Sequence, residues 1–199
     1  MLKLGPTKWS TVVTSSRTKK FPINGPTILT ILRIILVGPV IAGIFMEGLP
    51  AKIIALVCFI IGSITDNIDG RWARRDKLVT DFGAFLDPLA DKMLTNLTFL
   101  AFVILGQMPL WMFMVILVRD YAVDGLRMIA ARKNVTISAS IFGKVKTTVQ
   151  MITLISMLLN LIVMWEPLAV INIILLYVVM FLTLYSGIDY LIKGRKLMV

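Results

Sequence analysis

The sequence predicts an all-α integral membrane protein of six transmembrane helices, with both termini cytoplasmic. Three observations carry that prediction. Of the 199 residues, 58% are hydrophobic and the mean hydropathy is +0.89, against an apolar share of about 45–50% in soluble domains. Six apolar stretches, at 27–46, 51–70, 84–106, 109–130, 147–165 and 168–192, have the length a bilayer crossing needs. The charge is also lopsided: 21 Lys+Arg against 11 Asp+Glu give a net +10, and most of the basic residues fall in four groups that six spans place on one face.

Taken in order, residues 1–22 precede the first span and mix Leu, Trp and Val with Lys and Arg. They predict an amphipathic juxtamembrane segment on the inner surface, or else a polar tail. No apolar core with a small-residue cleavage site is present there, so no removable signal peptide is expected. Residues 23–199 read as one domain without internal repeats. Its outer turns are short and carry turn chemistry: Glu47-Gly48-Leu49-Pro50, Gly106-Gln107-Met108-Pro109 and Glu166-Pro167. Its other connections, Arg71–Asp81 and Arg132–Lys146, are longer and polar.

The four basic groups surround Lys3 to Lys20, Arg71 to Lys77, Arg132 to Lys146 and Lys193 to Lys196. The positive-inside rule makes their common face cytoplasmic, so the basic excess answers to the membrane and no nucleic-acid partner is expected. Trp111 and Trp165 sit at span ends as an interfacial belt.

The chain has no His and one cysteine, Cys58, inside an apolar run. That excludes Ser-His-Asp and Cys-His hydrolases, Cys/His zinc sites and disulfides. Chemistry falls to Asp, Glu, Lys, Arg and hydroxyls. Both Glu, at 47 and 166, belong to outer turns, whereas all nine Asp lie toward the cytoplasmic half. Carboxylates inside apolar spans are costly and read as functional by default.

Asp66-Asn67-Ile68-Asp69-Gly70 closes the second span and Asp87-Pro88-Leu89-Ala90-Asp91 opens the third. Residues three or four apart share a helix face. Asp66 with Asp69, and Asp87 with Asp91, therefore form two pairs at one depth on antiparallel neighbours. Four such carboxylates repel in a low dielectric, and two divalent cations would neutralise them. An all-oxygen ligand set selects a hard ion, Mg²⁺ or Mn²⁺, and paired ions suit a pyrophosphate substrate. Gly70 permits close approach at the helix end, and the guanidinium of Arg74 suits phosphate oxygens. Helix capping, or pairing with Arg71, Arg74, Arg75 and Lys92, is the plainer account, but caps do not explain two same-face pairs.

The run Asp66-x2-Asp69-Gly70-x2-Ala73-Arg74-x8-Gly83-x3-Asp87-x3-Asp91 resembles the signature of the CDP-alcohol phosphotransferase family, eight fixed positions over 26 residues. The resemblance implies a six-span membrane enzyme that moves a phosphatidyl or similar group from a CDP-linked donor to an alcohol. It assigns Asp66, Asp69 and Asp87 to one metal ion and Asp66, Asp87 and Asp91 to a second. It places Gly70, Ala73, Arg74 and Thr80 against the CDP part of the donor and makes Asp91 the general base. It also implies a homodimer and a bacterial plasma membrane, with the active site facing the cytoplasm.

The acceptor is read from three further segments. Asn24-Gly25-Pro26-Thr27 through Arg33, Arg119-Asp120-x3-Asp124-Gly125-Leu126-Arg127 and Gly143-Lys144-Val145-Lys146-Thr147 resemble motifs of the bacterial members that use sn-glycerol 3-phosphate. Those members more often carry Glu at the place of Asp120 and a small hydroxyl residue at the place of Asp124. A phosphate dianion needs cations, and Arg119, Arg127, Lys144 and Lys146 supply them. The expected reaction therefore joins CDP-diacylglycerol to sn-glycerol 3-phosphate, giving phosphatidylglycerol phosphate and CMP. Inositol phosphate or serine as acceptor is the alternative within the family. A cation transporter is the alternative outside it, disfavoured by a one-sided Asp cluster and the lack of an inverted repeat.

Overall fold

The computed structural model describes residues 25–76, 81–132 and 141–198. Among these residues the chain is all helix: α1 (Gly25–Phe45), α2 (Leu49–Asp76), α3 (Asp81–Ile104), α4 (Leu110–Arg132), α5 (Ile141–Val163) and α6 (Glu166–Met198). Each helix covers one of the six apolar stretches. The outer turns take the form their residues demand. Gly48 and Gly106 adopt φ of 103° and 71°, the left-handed region that only glycine enters freely. Pro50 and Pro167 fall in the first turns of α2 and α6, where a missing N–H leaves no helical bond unmade.

Three boundaries differ from the sequence expectation: α2 continues to Asp76 into the expected Arg71–Asp81 connection, α6 continues to Met198, and α5 begins early. The polar segment after α4 was expected to run to Lys146, but α5 already begins at Ile141. The hydroxyls of Thr147 and Thr148 donate to the carbonyls of Gly143 and Lys144 at 3.1 and 3.2 Å, one turn back along the helix. Lys146 can be helical and inward because a buried carboxylate awaits it, as described below.

α1 packs on α2 and α3, α5 on α6, and α4 on α6, while α2 and α5 join these groups. The approach of α1 to α2 is close: a Cβ on Gly43 would lie 2.3 Å from the Ala51 carbonyl oxygen. Val37, Val40, Phe59, Leu94, Phe99, Phe102, Ile116, Leu154, Met157 and Val179 fill the interior.

Polarity is inverted relative to a soluble domain. Ile35, Val118, Phe181 and Ile192 are more than 60% exposed, and large apolar side chains cover the outside of α1, α2, α4, α5 and α6, while the described part of α3 is mostly interior. Inside lie Arg33, Asn96, Asp120, Lys146, Gln150, Asn172 and Ser186. An apolar exterior this extensive marks a surface that meets lipid. The buried hydroxyls of Ser63, Thr98 and Thr153 donate to the carbonyls four residues earlier, and Ser156 donates to Asn172 Oδ1 at 2.6 Å, linking α5 to α6. α5, and α6 from Glu166 to Ile192, are long and apolar enough to cross a membrane. Thr30–Phe45, Leu49–Thr65 and Lys92–Ile104 are shorter apolar stretches.

Candidate functional site

The aspartate motif spans two helices that touch. Asp66 and Asp69 lie on α2, Asp87 and Asp91 on α3, and α2 contacts α3. Helical backbone at both places keeps each pair on one face, as the spacing requires. The side chains of these four residues lie outside the described residues, as do those of Gly70, Ala73 and Arg74 and the whole of Thr80. Among the described residues, no group of three or more His, Cys, Asp or Glu stands together to hold a metal ion.

The second part of the site is described in full, and Asp120 is its centre. Lys146, on α5, is 2% exposed and donates from Nζ to Asp120 Oδ1 at 2.5 Å. Arg119 Nη1 reaches the same oxygen at 3.0 Å. A buried ammonium is tolerable only when paired and hydrogen-bonded, and Asp120, itself 8% exposed, supplies that pairing. The two cations thus converge on one carboxylate from neighbouring helices.

Lys92 ties this centre to the aspartate motif. It follows Asp91 on α3, donates from Nζ to the Asp120 carbonyl at 3.3 Å and forms an ion pair with Asp124 Oδ2. Its ammonium also stands 5.6 Å from the centroid of the Tyr121 ring. Asp124 is therefore the partner of a lysine next to the expected base.

α6 supplies the remaining wall. Arg119 Nη2 donates to Ser186 Oγ at 2.8 Å, and Arg127 Nη2 donates to the Tyr190 hydroxyl at 2.5 Å. Arg119 Nε is buried and has no hydrogen-bond partner among the described residues. Arg119 also borders an apolar cleft of about 400 Å³ between α4 and α6, lined by Val118, Ala122, Leu126, Leu184 and Ile188 among others.

Of the four cations expected to meet an acceptor phosphate, Arg119 and Lys146 meet at Asp120 and Arg127 joins them through Tyr190 of α6. Lys144 stands apart. It lies two residues from Lys146, about 200° around the helix, and is exposed where Lys146 is buried. Among the described residues, Arg119, Arg127 and Lys146 gather around the one carboxylate of Asp120, the Lys92–Asp124 pair is balanced, and Asp189 adjoins Tyr190 on α6. Sequence reasoning did not find Ser186 or Tyr190. The available signal was a serine and a tyrosine one helical turn apart near the C-terminal end of the last apolar run.

The chain's residues 23–185 match the family model described as CDP-alcohol phosphatidyltransferase. A Bacillus subtilis protein named CDP-diacylglycerol–glycerol-3-phosphate 3-phosphatidyltransferase is 38% identical over 153 residues, 74% of this chain and 77% of the relative. A Rickettsia bellii protein of the same name is 33% identical over 182 residues, 89% of this chain and 98% of the relative. A third of that name, from Sodalis glossinidius, is 31% identical over 182 residues, 87% and 96% of the two chains.

Proposed function

The chain belongs to the CDP-alcohol phosphatidyltransferase family, and from that premise we propose that it transfers the phosphatidyl group of CDP-diacylglycerol to sn-glycerol 3-phosphate, releasing CMP. The names of its relatives support the reaction. The observation that carries a phosphate-bearing acceptor is the cluster around Asp120, where Arg119 and Lys146 converge on one carboxylate and Arg127 joins through Tyr190; the relatives' names favour glycerol 3-phosphate over inositol phosphate. A phosphate monoester near neutral pH carries close to two negative charges. Serine brings no phosphate, and a transported cation would be repelled by that cluster.

In this reading Asp91 accepts the proton of the acceptor hydroxyl while its oxygen attacks the phosphorus that bears the diacylglycerol. The bond from that phosphorus to the CMP oxygen breaks and CMP leaves. Lys92 holds the start of α3 against α4, so that the base and the acceptor pocket keep one spacing. Gly70, Ala73, Arg74 and Thr80 are assigned to the CDP moiety. The donor set of Asp66, Asp69, Asp87 and Asp91 is all oxygen and fourfold negative, which suits two Mg²⁺ or Mn²⁺ ions. When bound, such ions supply charge neutralisation at the donor pyrophosphate. With no His in the chain and one Cys, in an apolar run, direct transfer is favoured over a covalent enzyme intermediate.

We assign all six helices to the membrane, with both termini and the site on the cytoplasmic side, because the basic groups gather there. A bacterial plasma membrane, and a homodimer as the family resemblance implies, complete the reading.

The test is Lys146→Met, which keeps the volume and removes the charge. Losing a hydrogen-bonded charge costs about 1.5–3 kcal/mol, so the KM for glycerol 3-phosphate should rise about ten- to a hundredfold with the KM for CDP-diacylglycerol unchanged. An unchanged acceptor KM would remove Lys146 from the pocket.

A further inference from the structure

Arg119 and Arg127 are eight residues apart on α4, which separates their Cα atoms by about 12 Å along the helix axis. Yet their guanidinium carbons stand 5.7 and 5.1 Å from the centroid of a single ring, that of Tyr190. Both distances fall within the range of cation–π attraction. Tyr190 is completely buried, as is Ser186 one turn before it. The two α6 residues share a face and take one arginine each: the Ser186 hydroxyl accepts from Arg119 and the Tyr190 hydroxyl from Arg127. Between them is Gly187, where an added Cβ would come within 3.2 Å of Arg119 Cγ. α6 is thus shaped to the stem of one arginine and bonded to the ends of both.

Two like charges brought to one ring repel, and Asp120 compensates only the first, through Arg119 Nη1. Long side chains of this kind lose much freedom when a ligand fixes them, and fixing them beforehand removes that cost from binding. We propose that Tyr190 is a positioning residue that presents Arg119 and Arg127 together to the acceptor phosphate, with Ser186 as its helper. The proposal rests on the reading of both arginines as phosphate ligands. It adds that acceptor affinity is set from α6, a helix that carries none of the aspartate motif. Asp120, Lys146, Lys92 and Asp124 are the other charged groups around the same centre, with Asp189 adjoining Tyr190 on α6, and none of them contributes a ring or an alcohol hydroxyl.

The experiment compares Tyr190→Phe, Tyr190→Leu and Ser186→Ala with Arg119→Lys and Arg127→Ala in the purified full chain. It reads KM for glycerol 3-phosphate, KM for CDP-diacylglycerol, kcat and melting temperature. Tyr190→Phe keeps the ring and loses one charge-assisted bond. It should raise the acceptor KM about tenfold while leaving the donor KM and most of kcat in place. Tyr190→Leu also loses both ring contacts and should raise the acceptor KM further, and Ser186→Ala should give a smaller rise of the same kind.

An unchanged acceptor KM in both Tyr190 variants, with Arg127→Ala raising it, would overturn the positioning role and leave the pocket standing. Equal rises in both KM values, tracking a lower melting temperature, would make Tyr190 a packing residue only and overturn the proposal as well. No effect of Arg119→Lys or Arg127→Ala on the acceptor KM would overturn the pocket itself. If Tyr190→Leu does not fold, Tyr190→Phe decides alone.

Discussion

Lys146 of α5 and Asp120 of α4 meet at 2.5 Å in the interior, both nearly without solvent contact. Breaking a buried pair by removing one partner leaves an uncompensated charge, which costs about 3–5 kcal/mol. Asp120→Leu should therefore lower stability by that order, seen as a marked fall in melting temperature. Adding Lys146→Met to Asp120→Leu should restore part of the loss, since Arg119 still lacks its carboxylate, while acceptor binding stays absent. A double variant no more stable than Asp120→Leu would show that the pair is not the source of the defect.

Asp91→Asn should lose activity by about two to four orders of magnitude, the usual contribution of a positioned acid or base. Its KM for glycerol 3-phosphate should stay close to that of the parent, because the cation cluster is intact. Wild-type turnover in a folded Asp91→Asn protein would remove Asp91 as the base.

Chelation should abolish turnover, and added Mg²⁺ or Mn²⁺ should restore it, since four carboxylates at one depth repel when nothing compensates them. Asp66→Ala should not be rescued by the same ions at ordinary concentrations. Undiminished CMP release in EDTA would refute the assignment of the aspartates to metal.

Much of this was legible in the chain. The six apolar runs foretold six helices because a membrane demands length and hydropathy together. The outer turns were legible from their Gly and Pro residues, although the positive φ of Met164 in the third was not. The boundary of α5 was not legible. Arg132 to Lys146 reads as a polar connection, yet α5 begins at Ile141, where Lys146 reaches an aspartate that stands 26 residues earlier. Arg119 and Lys146 were found because their segments resemble family motifs and a phosphate acceptor needs cations. Their meeting at Asp120, the Lys92–Asp124 pair and the Ser186–Tyr190 wall depend on how α3, α4, α5 and α6 pack, which no local pattern encodes. Lys144 and Lys146 look equivalent as letters, and only the helix separates the exposed one from the buried one.

Gly43→Val should destabilise the fold without touching the site. A Cβ there would meet the Ala51 carbonyl oxygen at 2.3 Å, and backbone cannot yield as a flexible side chain does, so α1 and α2 must part. A melting temperature lower by several degrees, with KM values unchanged in the folded fraction, is the expected result. An unshifted melting temperature would mean that the two helices are not held at that distance.

The most direct test of the whole account is CMP release from CDP-diacylglycerol by the purified protein with Mg²⁺, offering glycerol 3-phosphate, inositol 1-phosphate or serine separately. Release with glycerol 3-phosphate alone is the predicted result. Release with serine and not with glycerol 3-phosphate would contradict the account, because the cations gathered around Asp120 are assigned to an acceptor phosphate that serine does not bring.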